Sequence, residues 1–169
     1  MTPTIWTRLD LLARHLFPFG LSVLLIMTGA IHLPVPDLSP IMPSFGLIAV
    51  YYWAIHRPDL VPSWAVFVLG LFQDLLTGGP LGLTIIVLLA LWAAVGTQRR
   101  LLATGSFVFA WAVFVAMAAA AFLLMWLLHG LVIGTMSEPH PAIFQYLTTV
   151  AVYPCCAWLF ARAQRAVLH

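Results

Sequence analysis

Six stretches of the chain are almost entirely apolar, near residues 16–33, 39–55, 60–77, 81–97, 106–133 and 142–161, and Asp74 is the one charged residue inside any of them. A helix rises about 1.5 Å per residue, so about 20 apolar residues cross the hydrocarbon core of a bilayer. The pattern predicts an all-α integral membrane protein, a six-helix transmembrane bundle forming a single membrane domain over 1–169. The fifth stretch would reach about 42 Å as a helix and must tilt or protrude. The second carries Pro40 and Pro43 in its first turns, where proline breaks or kinks a helix, and Pro154 should kink the sixth.

Ahead of these stretches, residues 2–15 place Ile5, Trp6, Leu9, Leu12 and Ala13 on one helical face and Thr7, Arg8, Asp10 and Arg14 largely on the other. That division predicts a short amphipathic helix lying on the membrane surface; a frayed polar start is the alternative. No small-x-small pattern follows the first apolar stretch, so a cleaved signal peptide is not expected.

Composition narrows the class further. Of 169 residues, 63% are hydrophobic and 7% charged, where a soluble domain carries roughly a quarter charged residues. The chain has no room for a separate soluble catalytic domain. Its seven cationic residues are all arginine and are too dispersed to follow a row of phosphates, so nucleic acid is not an expected partner. Cys155 and Cys156 are adjacent, poorly placed for an ordinary disulfide, and read as small core residues. The six histidines show no HxxxH or HExxH spacing, and no GxSxG or carboxylate pair is present, so neither a metal, a cofactor nor an enzymatic activity is expected.

The arginines supply an orientation. With a cytoplasmic start, six spans place Arg8, Arg14, Arg57, Arg99, Arg100, Arg162 and Arg165 all on the inner side and leave Asp37 and Glu138 outside. Both termini are then cytoplasmic in a multi-pass membrane protein. Trp6, Trp53, Trp64 and Trp158 fall toward the inner boundary, as members of an aromatic belt would.

Candidate function concentrates in residues 70–82, GLFQDLLTGGPLG. Helical spacing sets Ser63, Phe67, Gly70, Asp74 and Thr77 on one stripe, where small residues admit a neighbouring helix and polar groups meet it. Gly78 suits the left-handed position that ends a helix, and Pro80 suits the first turn of the next. Possible partners of Asp74 are His32, His129, the backbone N–H groups of Thr77, Gly78 and Gly79, and the Thr77 hydroxyl. Three roles are open for Gly70, Asp74, Thr77, Gly78, Gly79, Pro80 and Gly82: a structural cap, a partner contact, or part of a small-ligand site. Ala112, Ala116 and Ala120 repeat at helical spacing on the fifth stretch and form a second close-packing surface, internal or external.

The 70–82 segment, preceded by Pro58, Asp59 and Leu60 and followed by an apolar span ending in Gln98, Arg99 and Arg100, resembles the MreD family of bacterial rod-shape determination. Length, six-span layout and basic inner loops agree with it. The resemblance implies a non-enzymatic inner-membrane scaffold of the cell-wall elongation complex. It also implies as partners MreC, the MreB filament and, through them, RodA and its penicillin-binding transpeptidase, and a part in regulating peptidoglycan synthesis. The MreD family is similar in fold to the substrate-binding subunits of energy-coupling-factor vitamin transporters, which makes such a subunit the alternative. Against it, the first span, LFPFGLSVLLIMTGAIHL, lacks the AxxxA spacing those subunits generally use for docking. The topology is testable: a reporter fused after His169 is expected to function in the cytoplasm, and activity confined to the periplasm would overturn the orientation.

Overall fold

A computed structural model describes residues 5–30, 42–135 and 138–167, with side chains described from Phe17 to Gly29 in the first of these segments and to Ala166 in the last. It contains six helices in the order α1 (Ile5–Ala30), α2 (Phe45–His56), α3 (Ser63–Thr77), α4 (Leu83–Thr104), α5 (Phe107–Ile133) and α6 (His140–Val167), with no strand among the described residues. Leu83–Thr104, Phe107–Ile133 and His140–Ala166 are long and apolar enough to cross a membrane.

The boundaries differ from the apolar pattern for identifiable reasons. Of the segment 2–15, the described residues are not a separate helix: from Ile5 onward they run unbroken into the first apolar stretch as α1, which carries Pro18 internally. One turn on, the buried Ser22 hydroxyl donates to the Pro18 carbonyl at 2.7 Å. Among the described residues the second stretch is helical from Phe45, after Pro43, which disfavours helical geometry in the residue before it. At 12 residues α2 is about 18 Å long, short of the bilayer core by itself. α4 continues past the end of the fourth apolar stretch near 97, through Gln98, Arg99 and Arg100, because nothing breaks the helix before Gly105. α6 likewise extends past the expected residue 161 and includes Arg162 and Arg165.

A helix that is apolar on every side is stable only when enclosed, and α2 is the case here: residues 46–55 are all buried. It packs against α1, α3, α4 and α6, and the Tyr51 ring meets Phe114 of α5 with centroids 4.9 Å apart. Phe114 stacks in turn on Tyr153 of α6 at 4.2 Å, and Trp53 and Tyr52 lie against Phe160. The Tyr51 hydroxyl donates to the Ala110 carbonyl at 2.7 Å, so the one polar atom that this ring brings inward is satisfied. Trp53 is 0% exposed and belongs to the core, in contrast to the boundary position read from the sequence. Trp64 and Trp158, at 66% and 60% exposure, do face outward as a belt requires.

Pro154 removes the N–H that would bond the Val150 carbonyl four residues back. The indole N–H of Trp111 on α5 donates to that carbonyl at 3.3 Å, so a neighbouring helix repairs the interruption. Of the two cysteines read as core residues, only Cys156 is buried; Cys155 is exposed on the other side of α6.

Two clefts show how the helices alternate. One collects the C-terminal ends of α1, α3 and α5 with the N-terminal ends of α2, α4 and α6. The other, at the opposite end, collects the C-terminal ends of α2 and α4, the N-terminal end of α5 and the C-terminal half of α6. Tyr52 and Gln164 join α2 to α6 at this second end with a 3.3 Å hydrogen bond. Arg57, Arg99, Arg100, Arg162 and Arg165 therefore belong to helix ends on one side of the bundle, as alternation of the spans demands. Replacing Phe114 by alanine is expected to lower the unfolding free energy by about 3–5 kcal/mol, whereas Leu123→Ala on the outer face of α5 should change it by about 0.5 kcal/mol or less. Denaturant unfolding of the purified protein in micelles measures both.

Candidate functional site

The α3–α4 corner is built by close approach at one residue and capping at another. Gly70 lies against the start of α4: a Cβ there would come within 2.8 Å of the Ile85 Cα, a separation that real side chains do not tolerate. One turn further, Asp74 is 2% exposed. Its carboxylate accepts the Gly82 N–H at 2.7 Å and the Thr84 N–H at 3.2 Å. These are among the unpaired donors that open α4, so the side chain of one helix caps the next, and a negative charge lies at the positive end of the α4 dipole. The chain between them turns through left-handed geometry at Gly78 (φ 66°) and Gly82 (φ 100°), where a side chain would be strained.

Several expectations change here. The donors to Asp74 come from Gly82 and Thr84, not from Thr77, Gly78 or Gly79, because a carboxylate on α3 faces the first turn of α4 and the intervening turn bulges outward. The Thr77 hydroxyl donates instead to backbone carbonyls of its own helix, Gln73 and Asp74. Pro80 precedes α4 by a turn in which the Leu83 N–H reaches the Pro80 carbonyl, and is not in the helix itself. His129 is near the corner without being the group that holds Asp74, and His32 lies outside the described residues. On the proposed stripe, Gly70 and Asp74 are buried while Ser63, Phe67 and Thr77 are exposed. The packed face of α3 runs instead through Ala65, Val66, Leu69, Gly70 and Asp74. Ala112, Ala116 and Ala120 face outward on α5, whose inner face is Ala110, Phe114, Ala118, Ala121 and Phe122.

Next to the corner is a half-enclosed cavity of about 450 Å³. Apolar residues make most of its wall, and Ser44, Gln73, Asp74, His129, Glu138 and Gln145 add polar groups from the ends of α2, α3, α5 and α6 and the approach to α6. Two ties organise that wall. The Ser44 N–H donates at 2.9 Å to the hydroxyl of the buried Thr149 on α6, which itself donates to the Gln145 carbonyl. The Gln73 amide nitrogen reaches the Ser44 hydroxyl at 3.5 Å, and the amide oxygen fills the space that a Cβ at Gly46 would need. That oxygen is buried and has no hydrogen-bond partner. Among the described residues no group of three His, Cys, Asp or Glu side chains is placed to hold a metal ion. Gln73, Ser44 and Thr149 escaped notice in the sequence because each is an isolated polar residue within or beside an apolar run; Gln73, adjacent to Asp74, was the most conspicuous of them.

The family model for rod shape-determining protein MreD matches residues 11–162, nearly the whole chain. The chain belongs to the MreD family. MreD proteins are membrane proteins of rod-shape determination, so a role in cell shape follows, in a family of shape-determining structural proteins and not of known enzymes. No curated protein and no solved structure matches the chain. The expected likeness to vitamin-transporter subunits thus stands on the sequence resemblance alone.

For this MreD protein, the capping geometry yields a stability prediction. Asp74→Asn keeps one acceptor oxygen and turns an amide toward a backbone donor, so it should cost about 1.5–3 kcal/mol, while His129→Ala should cost about 0.5 kcal/mol or less. Equal losses in the two variants, measured by thermal unfolding in detergent, would mean that His129 shares in holding the carboxylate.

Proposed function

We propose that the chain acts as a non-enzymatic scaffold of the inner membrane in the cell-wall elongation complex, binding MreC and helping to regulate peptidoglycan synthesis. The match to the MreD family over residues 11–162 carries this reading. MreC is the direct partner in the proposal, with the MreB filament, RodA and its penicillin-binding transpeptidase reached through it. The outward alanines of α5, Ala112, Ala116 and Ala120, offer a spanning helix of MreC a surface where backbones approach closely. The α3–α4 corner, with Gly70, Asp74, Thr77, Gly78, Gly79, Pro80 and Gly82, keeps the adjoining helix ends in fixed register for such a contact.

The proposed topology has six passes with both termini cytoplasmic. The clustering of arginine-bearing helix ends supports it, because a cytoplasmic excess of arginine orients membrane proteins. Helices α2 and α3 are shorter than the hydrocarbon core, and the burial of α2 inside the bundle removes its need to match lipid thickness.

A second reading draws on the cavity, whose size is within the roughly 300–1,000 Å³ of small-molecule sites: a substrate-binding membrane subunit of a vitamin transporter. The two separate on purification from native membranes. The scaffold should bring down MreC, and its depletion should turn rods into spheres. Recovery of a tightly bound vitamin, with cell shape unaltered on depletion, would favour the transporter subunit.

A further inference from the structure

We propose that the cleft at the arginine-bearing end of the bundle binds one anionic phospholipid, its phosphate held by arginines of α6 and a hydrocarbon chain lodged between α4, α5 and α6. The cleft is half-enclosed, with a volume of about 520 Å³. Its walls are mostly apolar and include Ala103 of α4, Phe107 of α5, and Ala157, Trp158 and Ala161 of α6.

Two arginines continue the α6 wall. Residues four apart share a helix face, so Arg162 follows Trp158 and Arg165 follows Ala161 on the stripe that lines the cleft. Side chains on a helix lean toward its N-terminus, which carries both of these back over that stripe. The Arg162 guanidinium carbon lies 5.6 Å from the centroid of the Trp158 ring, and the Arg165 Nε donates to the Ala161 carbonyl at 3.2 Å. A guanidinium has five N–H donors, so these contacts hold each side chain against the cleft and leave donors unused. On the facing wall, Arg99 shares its helix face with Leu102 and Ala103. No carboxylate lines the cleft, and among the described side chains neither Arg162 nor Arg165 forms an ion pair. Asp59, at the same end, is tied to Arg57 at 3.6 Å.

Charge and shape together select the occupant. A basic pocket between membrane helices is complementary to an anionic headgroup, and the guanidinium fork presents paired donors to two phosphate oxygens at once. An empty apolar cleft forfeits the van der Waals contact that a hydrocarbon chain restores. Free phosphate would leave the apolar walls bare, and an uncharged lipid would leave the arginines unpaired. A helix about 10 Å across fills a volume of this size with about one turn, so a spanning segment of another protein or of a second copy is too bulky to enter. The proposal depends neither on which protein the chain binds nor on which side of the membrane the arginines face.

The test uses the full-length protein in nanodiscs of equimolar phosphatidylglycerol and phosphatidylethanolamine. Native mass spectrometry after release reads retained lipid and oligomeric state together. One phosphatidylglycerol per chain is expected, retained about tenfold over phosphatidylethanolamine, the magnitude of one charge-assisted hydrogen bond. Arg162→Gln combined with Arg165→Gln should abolish the preference and leave thermal unfolding in detergent unaltered, because both side chains are exposed. Ala103→Phe keeps every arginine and sets a large side chain into the cleft from an exposed position, and it should lower retention about tenfold as well. Equal retention of the two lipids by the unaltered protein overturns the proposal. So does a preference that survives in either variant; survival in Ala103→Phe would mean that the arginines attract lipid charge without the cleft. A dimer recovered in place of the lipid would assign the cleft to a second copy and overturn it too.

Discussion

The carboxylate of Asp74 sits at the end of α3 and receives the N–H groups of Gly82 and Thr84, and much of the rest of the molecule is arranged around that contact. In a bilayer each unpaired backbone group costs several kcal/mol, so the opening turn of α4 needs acceptors that the chain itself supplies. Asp74 supplies them from the preceding helix. The bond closes a corner only a few residues long, and Gly70 lets the two helices touch along the turn below it. With α3 and α4 set together in this way, their ends form one wall of the cavity, and Gln73 is carried against the start of α2.

Helix α2 plays the complementary part. Its apolar surface gives it no preferred side, so it occupies the centre, and the other helices take their positions from it. The aromatic stack of Tyr51, Phe114 and Tyr153 couples it to α5 and α6, while Ser44 and Thr149 tie its opening turn to α6. Polar atoms inside the bundle are thus spent on joining helices. The Trp111 indole, which answers the carbonyl freed by Pro154, follows the same rule at the protein's surface. The Trp53 indole nitrogen and the Gln73 amide oxygen are exceptions to it, and Gln73 is a residue of the cavity wall.

Much of this was legible in the residues themselves. The apolar stretches located all six helices, Gly78 was correctly placed at a left-handed helix end, and Asp74 was singled out because it was the one charge within a span. What was misread or left open was each feature that depends on a neighbour. The donors to Asp74 lie eight and ten residues ahead, beyond a turn whose path the sequence does not specify. Trp53 has the composition of a belt residue and the position of a core residue. The alanines of α5 repeat at a spacing that suits internal packing, yet Phe114 and Ala118 take the inner face.

The division between the two kinds of knowledge follows from the solvent. Spanning segments must be apolar and helical whatever they pack against, because lipid satisfies no backbone hydrogen bond, and so membrane class, helix number and the grouping of arginines are written in the linear pattern. The choice of face is different. When lipid and protein interior are equally apolar, hydropathy does not say which side of a helix turns inward, and that choice falls to shape, small residues and the few polar atoms that find partners across the bundle. The sequence alone therefore determined that this is a helical membrane protein with a lone acid at a glycine turn. Only the tertiary structure decided that the acid caps the following helix and that polar residues from several helices gather beside it around a cavity.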